Sequence, residues 1–208
     1  MVYNFDQSIP GWMSLRDLEI LSYLSSCVPD NGNILELGPF LGRSTSALVK
    51  HKKENVSLEV VDTFSGFPLD MEYNDLMGDR ELYEQLRALA KDTGSWLEPF
   101  KKCQSTDIQN INIHACSTKE FKIKKWYDMT FVDTEHTFNS VMHDVGKFIS
   151  ASSLILGDDF VPWWSDISKA LTNFHYRSYR TLVVPRGSKI WILVPKNSYW
   201  ESCVKEVI

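Results

Sequence analysis

Short apolar runs alternate with amphipathic ones along most of this chain, and the spacing of the apolar positions assigns each run to a strand or a helix. After an opening segment, Ile9-Pro10-Gly11-Trp12, leucines at 15, 18, 21 and 24 recur at helical spacing, and residues 1–30 are read as an N-terminal helical cap. Residues 33–38 are an apolar run bounded by turn formers, which predicts a strand, and the amphipathic run at about 43–52 predicts a helix behind it. Leu58–Asp62 predicts a second strand. Ile111–Ala115, 128–133 and Ser153–Gly157 follow as the third, fourth and fifth. Ser117 and Thr118 are placed to cap a short helix, and 137–150 reads as a helix with Phe138, Val141, Val145 and Phe148 on one side. A helix near 164–174 precedes two closing strands, 180–184 and 189–194, and Pro185-Arg186-Gly187-Ser188 between them signals a hairpin.

Residues 64–110 break this alternation. They are rich in charged and aromatic residues, hold one helical pattern at about 79–91, and are too long for an ordinary connection. An inserted lid or substrate-binding element is expected there. The remaining order of strands and helices predicts an α/β fold, a mostly parallel sheet with helices on both faces and a terminal hairpin. Ligands of such sheets bind beyond the carboxyl ends of the strands.

Composition narrows the class. A chain of 208 residues suits a single domain, and 43 % apolar residues with seven Trp can fill a sizeable core. No stretch approaches the ~20 apolar residues of a membrane helix. A net charge of −5 without a long basic run argues against nucleic acid as partner. The start lacks the basic and apolar regions of a signal peptide, and Cys27, Cys103, Cys116 and Cys203 are scattered without a Cys-x-x-Cys pair. Reduced thiols and a cytoplasmic location are expected.

The chemistry is concentrated at strand ends. Glu36-Leu37-Gly38-Pro39-Phe40-Leu41-Gly42 carries the chain from a strand through a glycine turn into a helix opened by Ser44 and Thr45. Glycines there permit a sharp turn and close approach of a ligand to the backbone, and the helix start supplies free N–H groups. A pyrophosphate fingerprint needs Gly-x-Gly-x-x-Gly, and the bulky Phe40 in that slot argues against a nicotinamide dinucleotide. An acid beside the turn suits a ligand with an amino group. Asp62, about two dozen residues after Gly38, can accept hydrogen bonds from both hydroxyls of a ribose, or it can cap the turn after its strand.

Four strands end at or near acids: Glu36, Asp62, Asp133 and Asp158-Asp159. Carboxylates on one rim repel one another unless a cation or a hydrogen-bonding ligand lies between them. Asp133 with Asp158-Asp159 suits a hard divalent ion, although strand ends and helix caps also favour Asp.

The Glu36–Gly42 turn resembles motif I of the class I S-adenosylmethionine (SAM) methyltransferases. Asp62-Thr63-Phe64-Ser65-Gly66-Phe67-Pro68, with Ile9-Pro10-Gly11-Trp12 and Gly42-Arg43-Ser44-Thr45, is similar to segments of the macrocin O-methyltransferase family. The resemblance runs from about residue 9 to 160. It implies a Rossmann-like methyltransferase fold with a seven-stranded sheet, and SAM as methyl donor. It assigns the donor site to Glu36, Gly38, Gly42, Ser44, Thr45, Asp62, Thr63, Phe64, Ser117 and Asp133. It further implies Mg²⁺ on Asp133, Asp158 and Asp159, which would acidify and align an acceptor hydroxyl. His136 matches the catalytic lysine of catechol-type enzymes and Glu135 a second acid of macrocin-like ones, so either can be the base. The expected acceptor is a small molecule with a sugar or phenol-like hydroxyl, with neither nucleic acid nor membrane as partner. A homodimer through the N-terminal segment or the insert is compatible with the sequence. Two rivals stay open: another metal- or SAM-dependent enzyme on this scaffold (hydroxylase, hydrolase or SAM lyase), and a non-catalytic SAM-binding module.

Overall fold

The computed structural model describes residues 5–65, 80–91 and 94–208. Its strands are β1 (Asn33–Leu37), β2 (Ser57–Asp62), β3 (Ile111–Ala115), β4 (Tyr127–Val132), β5 (Ser152–Gly157), β6 (Arg180–Val183) and β7 (Trp191–Pro195). They form one seven-stranded sheet in the order β3-β2-β1-β4-β5-β7-β6. All pairs from β3 to β5 are parallel, whereas β7 runs antiparallel to both β5 and β6. The helices are α1 (Leu15–Cys27), α2 (Arg43–His51), α3 (Arg80–Lys91), α4 (Leu97–Cys103), α5 (Phe138–Ile149), α6 (Ser165–Arg177) and α7 (Tyr199–Lys205).

Alternation of side chains along each strand splits the core between the two faces of the sheet. Ile34, Leu58, Val60, Met129, Phe131, Leu154 and Leu156 pack with α1, α2 and α7 on one side. Leu35, Leu37, Val61, Val132, Ile155 and Leu193 pack with α5 and α6 on the other. Of the leucine stripe in α1, Leu18, Leu21 and Leu24 are fully buried and Leu15 faces solvent. Ser14 and Asp17 close a reciprocal capping box at its start.

The strands lie within a residue or two of their expected ranges, and two short helices were not anticipated. α4 falls inside the insert and buries Phe100 against Phe64, with ring centroids 5.4 Å apart. α7 buries Trp200, Cys203 and Val204. The helix expected after Ser117 is a single turn, closed by Glu120 and Phe121 N–H groups on the Ser117 carbonyl. The chain then leaves that turn to bury Phe121 beside Phe148. Gly66, Phe67 and Pro68 of the family-like segment lie outside the described residues.

Parallel pairing continues past the strand ends, and this builds the site. Gly38 N donates to Val61 O at 3.0 Å, Asp133 N to Leu37 O at 2.8 Å, and Asp158 N to Val132 O at 3.3 Å. The turns after β1, β4 and β5 are thereby held side by side at the carboxyl rim.

Candidate active site

The glycine turn is tight on every side. Gly38 (φ +82°) lies so close to the Asp133 carbonyl that a methyl group on it would stand 1.8 Å from that oxygen. Gly42 (φ +87°) faces the Gln104 amide, whose Nε2 donates to the Gly42 carbonyl at 3.0 Å. Phe40, Phe64 and Asp159 also hold left-handed backbone, at φ +52°, +52° and +63°. Such conformations cost roughly 1–3 kcal/mol each in non-glycine residues, and they cluster at functional turns. The Phe40 ring packs on Trp96, with centroids 4.8 Å apart, and on Trp12.

Glu36 is fully buried, and its carboxylate is occupied. Ser44 Oγ donates to Oε1, and Thr45 Oγ1 donates to Oε2 at 2.6 Å. The three side chains assigned to the donor therefore serve one another, tying β1 to the start of α2. Burial lifts the Glu36 carboxyl to about 7, against the pull of the two hydroxyls. Its pKa is thus higher in the folded protein than the ordinary 4.5, so its contribution to stability is complete below 4.5 and is lost as pH rises through about 7. Glu36→Gln keeps an acceptor and a donor for the two hydroxyls but cannot ionise. Relative to this variant, the wild type should lose on the order of 3 kcal/mol between about pH 5 and about pH 8, read by urea denaturation. A gap that does not change with pH would rule out ionisation of Glu36.

Asp62 stands at the mouth of the turn. Its Oδ1 accepts from Phe64 N at 2.8 Å, while Oδ2 has only a long contact of 3.4 Å with Phe40 N. Burial pushes its carboxyl upward. Thr63 is exposed and Phe64 is buried behind it. The Ser117 hydroxyl donates to Glu120 at 2.7 Å, in the manner of a turn cap.

Beside this turn lies the second group of acids. Asp133, His136 and Asp159 bring one ligand atom each to within 4.8 Å of one another. His136 Nε2 is 2.8 Å from Asp159 Oδ2, an ion-pair distance without the alignment of a directed hydrogen bond, and its ring stacks on Trp164 at 4.7 Å. Glu135 points elsewhere, accepting from Ser140 Oγ at 2.6 Å on the exposed flank of α5. Lys189, just before β7, places Nζ 3.0 Å from Asp158 Oδ2 and 2.9 Å from Asp159 Oδ1. Asp158 Oδ1 and His136 Nε2 are buried without a hydrogen-bond partner.

The electrostatics follow from this arrangement. Burial, then Asp158 and Asp159, push the Asp133 carboxyl well above its usual range. Burial pushes Asp158 to about 6 against the opposing charge of Lys189. Burial works the same way on Asp159, but His136 and Lys189 outweigh it and hold that carboxyl at about 2. Burial would weaken the Lys189 ammonium, and the two aspartates more than reverse that.

A magnesium ion on Asp133, Asp158 and Asp159 does not fit this donor set. Mg²⁺ takes oxygen ligands in near-octahedral geometry. Here an ammonium already binds two of the three carboxylates, and the residue brought up beside Asp133 and Asp159 is an imidazole. Neither Lys189 nor the His136–Asp159 contact was foreseen in the sequence. His114 and His143 lie on other acids, Glu59 at 2.9 Å and Asp144 at 2.8 Å. An open cavity of about 310 Å³ lies apart from the acids, between Gln7–Gly11, Arg43 and α3 residues Glu81 and Gln85.

No family model matches the chain, and no curated protein matches its sequence. Solved structures do match. The O-methyltransferase NovP superposes with a TM-score of 0.62 at 14 % identity, over 88 % of this chain and 81 % of that one. An O-methyltransferase from Bacillus cereus in complex with SAH gives 0.56 at 13 % identity, over 89 % and 84 %. TomG from Streptomyces achromogenes, in complex with SAM, gives 0.56 at 13 % identity, over 88 % and 82 %. The chain therefore has the Rossmann-like fold of the class I SAM-dependent O-methyltransferases. At these identities the likeness is one of fold, and the chemistry must come from the residues of the site.

Proposed function

We propose that this chain is a methyltransferase that moves a methyl group from SAM to a hydroxyl of a small-molecule acceptor. The observation that carries the reading is the His136–Asp159 pair held next to the Gly38 turn, which joins a candidate base to a candidate donor cleft. SAM, when bound, supplies an electrophilic methyl on a sulfonium. Asp62 has an under-used oxygen for the hydroxyls of a ribose, and Gly38 and Gly42 let the turn come close to a ligand. In-line methyl transfer depends mainly on positioning and on exclusion of water. The rigid, strained turns at Phe40, Phe64 and Asp159 suit that demand.

His136 is the base in this reading, and Glu135 is not. Asp159 stays ionised across the neutral range and lies against the Nε2 edge of the ring. Nδ1 is then the atom left to take the acceptor's proton, and the carboxylate stabilises the imidazolium that results. The Mg²⁺ of the sequence reading has no step here, because Lys189 holds Asp158 and Asp159 and His136 lies on Asp159. Trp164 beneath His136 and the exposed Trp163 offer flat apolar surface for a sugar or phenol-like acceptor. Four unpaired cysteines support a cytoplasmic setting. Among the described residues no helix is long and apolar enough to cross a membrane.

Calorimetric titration of the wild type and Asp62→Ala with SAM and with NAD tests the donor. Saturable SAM binding is expected for the wild type, and loss of a charge-assisted hydrogen bond should weaken it roughly 10- to 100-fold in the variant. Equal affinities would remove Asp62 from the donor site. Absence of SAM binding in folded wild type would overturn the function itself. Formation of methylthioadenosine instead of S-adenosylhomocysteine would favour a lyase.

A further inference from the structure

Charge balance decides what the acid cluster can bind. Asp133, Asp158 and Asp159 meet at the ends of adjacent strands, where their negative charges repel one another. One ammonium answers two of them, with Lys189 Nζ at 3.0 Å from Asp158 and 2.9 Å from Asp159. This lysine is built in. Its backbone N–H donates to Asp17 Oδ1 at 3.1 Å, and its carbonyl accepts from Phe160 N at 2.8 Å. Asp17 is fully buried in the first turn of α1 and also accepts from Ser188 Oγ at 2.6 Å. The residue carrying the ammonium is thus clamped by α1 on one side and by the chain following Asp159 on the other. Trp191 completes the frame, its Nε1 donating to the Asp158 carbonyl at 3.0 Å.

We infer that Lys189 is the resident cation of this cluster, standing where a divalent ion would otherwise balance Asp158 and Asp159, and that the chain handles its acceptor without a metal. An ammonium and a divalent ion on the same two carboxylates repel each other at a few ångströms, so the ion must compete with Lys189 for them. Lys189 leaves Asp158 Oδ1 buried and without a hydrogen-bond partner, a need that an acceptor hydroxyl would answer once the cleft opens to it. The inference deepens the methyl-transfer reading only in that acceptor role. The charge balance stands on contacts within the chain, and its test needs neither SAM nor an acceptor.

Mn²⁺ alone is the probe, followed by electron paramagnetic resonance and by thermal unfolding in wild type, Lys189→Met and Lys189→Arg. Wild type and Lys189→Arg should show no Mn²⁺ site tighter than about 1 mM, and their melting temperatures should not respond to the ion. Lys189→Met should gain a site at least ~30-fold tighter, and Mn²⁺ should raise its melting temperature. Should Lys189→Met fail to fold, Lys189→Gln removes the charge while keeping a polar side chain among the carboxylates and carries the same expectation. Micromolar Mn²⁺ binding by the wild type overturns the inference. So does a lysine-free variant that folds but binds Mn²⁺ no better than the wild type. Neither result bears on SAM binding, so failure here is distinguishable from failure of the methyl-transfer reading.

Discussion

His136→Gln should lower kcat by roughly 10²- to 10⁴-fold, the usual contribution of a positioned general base, while SAM affinity stays within about twofold. The variant retains the approximate shape of the ring but cannot take a proton. Glu135→Gln is the control. Glu135 is exposed and engaged with Ser140, so the expected change is less than about threefold. The measurement is release of S-adenosylhomocysteine with hydroxylated acceptors across the pH range. Reversal of the two effects would transfer the proton to Glu135, and two small effects would leave the acceptor hydroxyl without a base from this chain.

The sequence made the frame legible because the frame rests on local patterns. Continuous apolar runs such as Leu154-Ile155-Leu156 read as buried strands, and the observed β5 covers Ser152–Gly157. Acids at four strand ends marked the rim by their positions alone. What stayed hidden depends on long-range placement. Lys189 is 30 residues from Asp159 and meets it only because β7 inserts beside β5, a pairing that hydropathy does not encode. Glu36 stands directly before a ligand-like turn, yet its partners are Ser44 and Thr45 at the far end of that turn. A buried carboxylate followed by two hydroxyl residues at a helix start was the available signal, since buried acids need donors. α4 and α7, at seven residues each, are too short for periodicity to register, although Trp200, Cys203, Val204 and Val207 follow helical spacing.

Gly38→Ala should be among the most damaging single changes in this chain, lowering stability by on the order of 4 kcal/mol. Two penalties combine. The left-handed backbone at φ +82° costs a β-carbon about 1–2 kcal/mol. The larger penalty is steric: the new carbon would sit 1.8 Å from the Asp133 carbonyl oxygen and 2.7 Å from its carbon, both backbone atoms that cannot rotate away. Relief requires the ends of β1 and β4 to separate, which breaks the Asp133 N to Leu37 O bond of 2.8 Å and strains the Gly38 N to Val61 O bond of 3.0 Å. Gly187→Ala isolates the first penalty, for Gly187 is also left-handed (φ +73°) but has nothing within 4 Å of the added carbon. It should cost only about 1–2 kcal/mol by urea denaturation. Equal losses at the two glycines would mean that the turns do not approach this closely in solution. A larger loss at Gly38, accompanied by weaker SAM binding in the protein that remains folded, is the expected result. Such a coupling would mean that one missing side chain holds the donor turn and the Asp133 strand end in register.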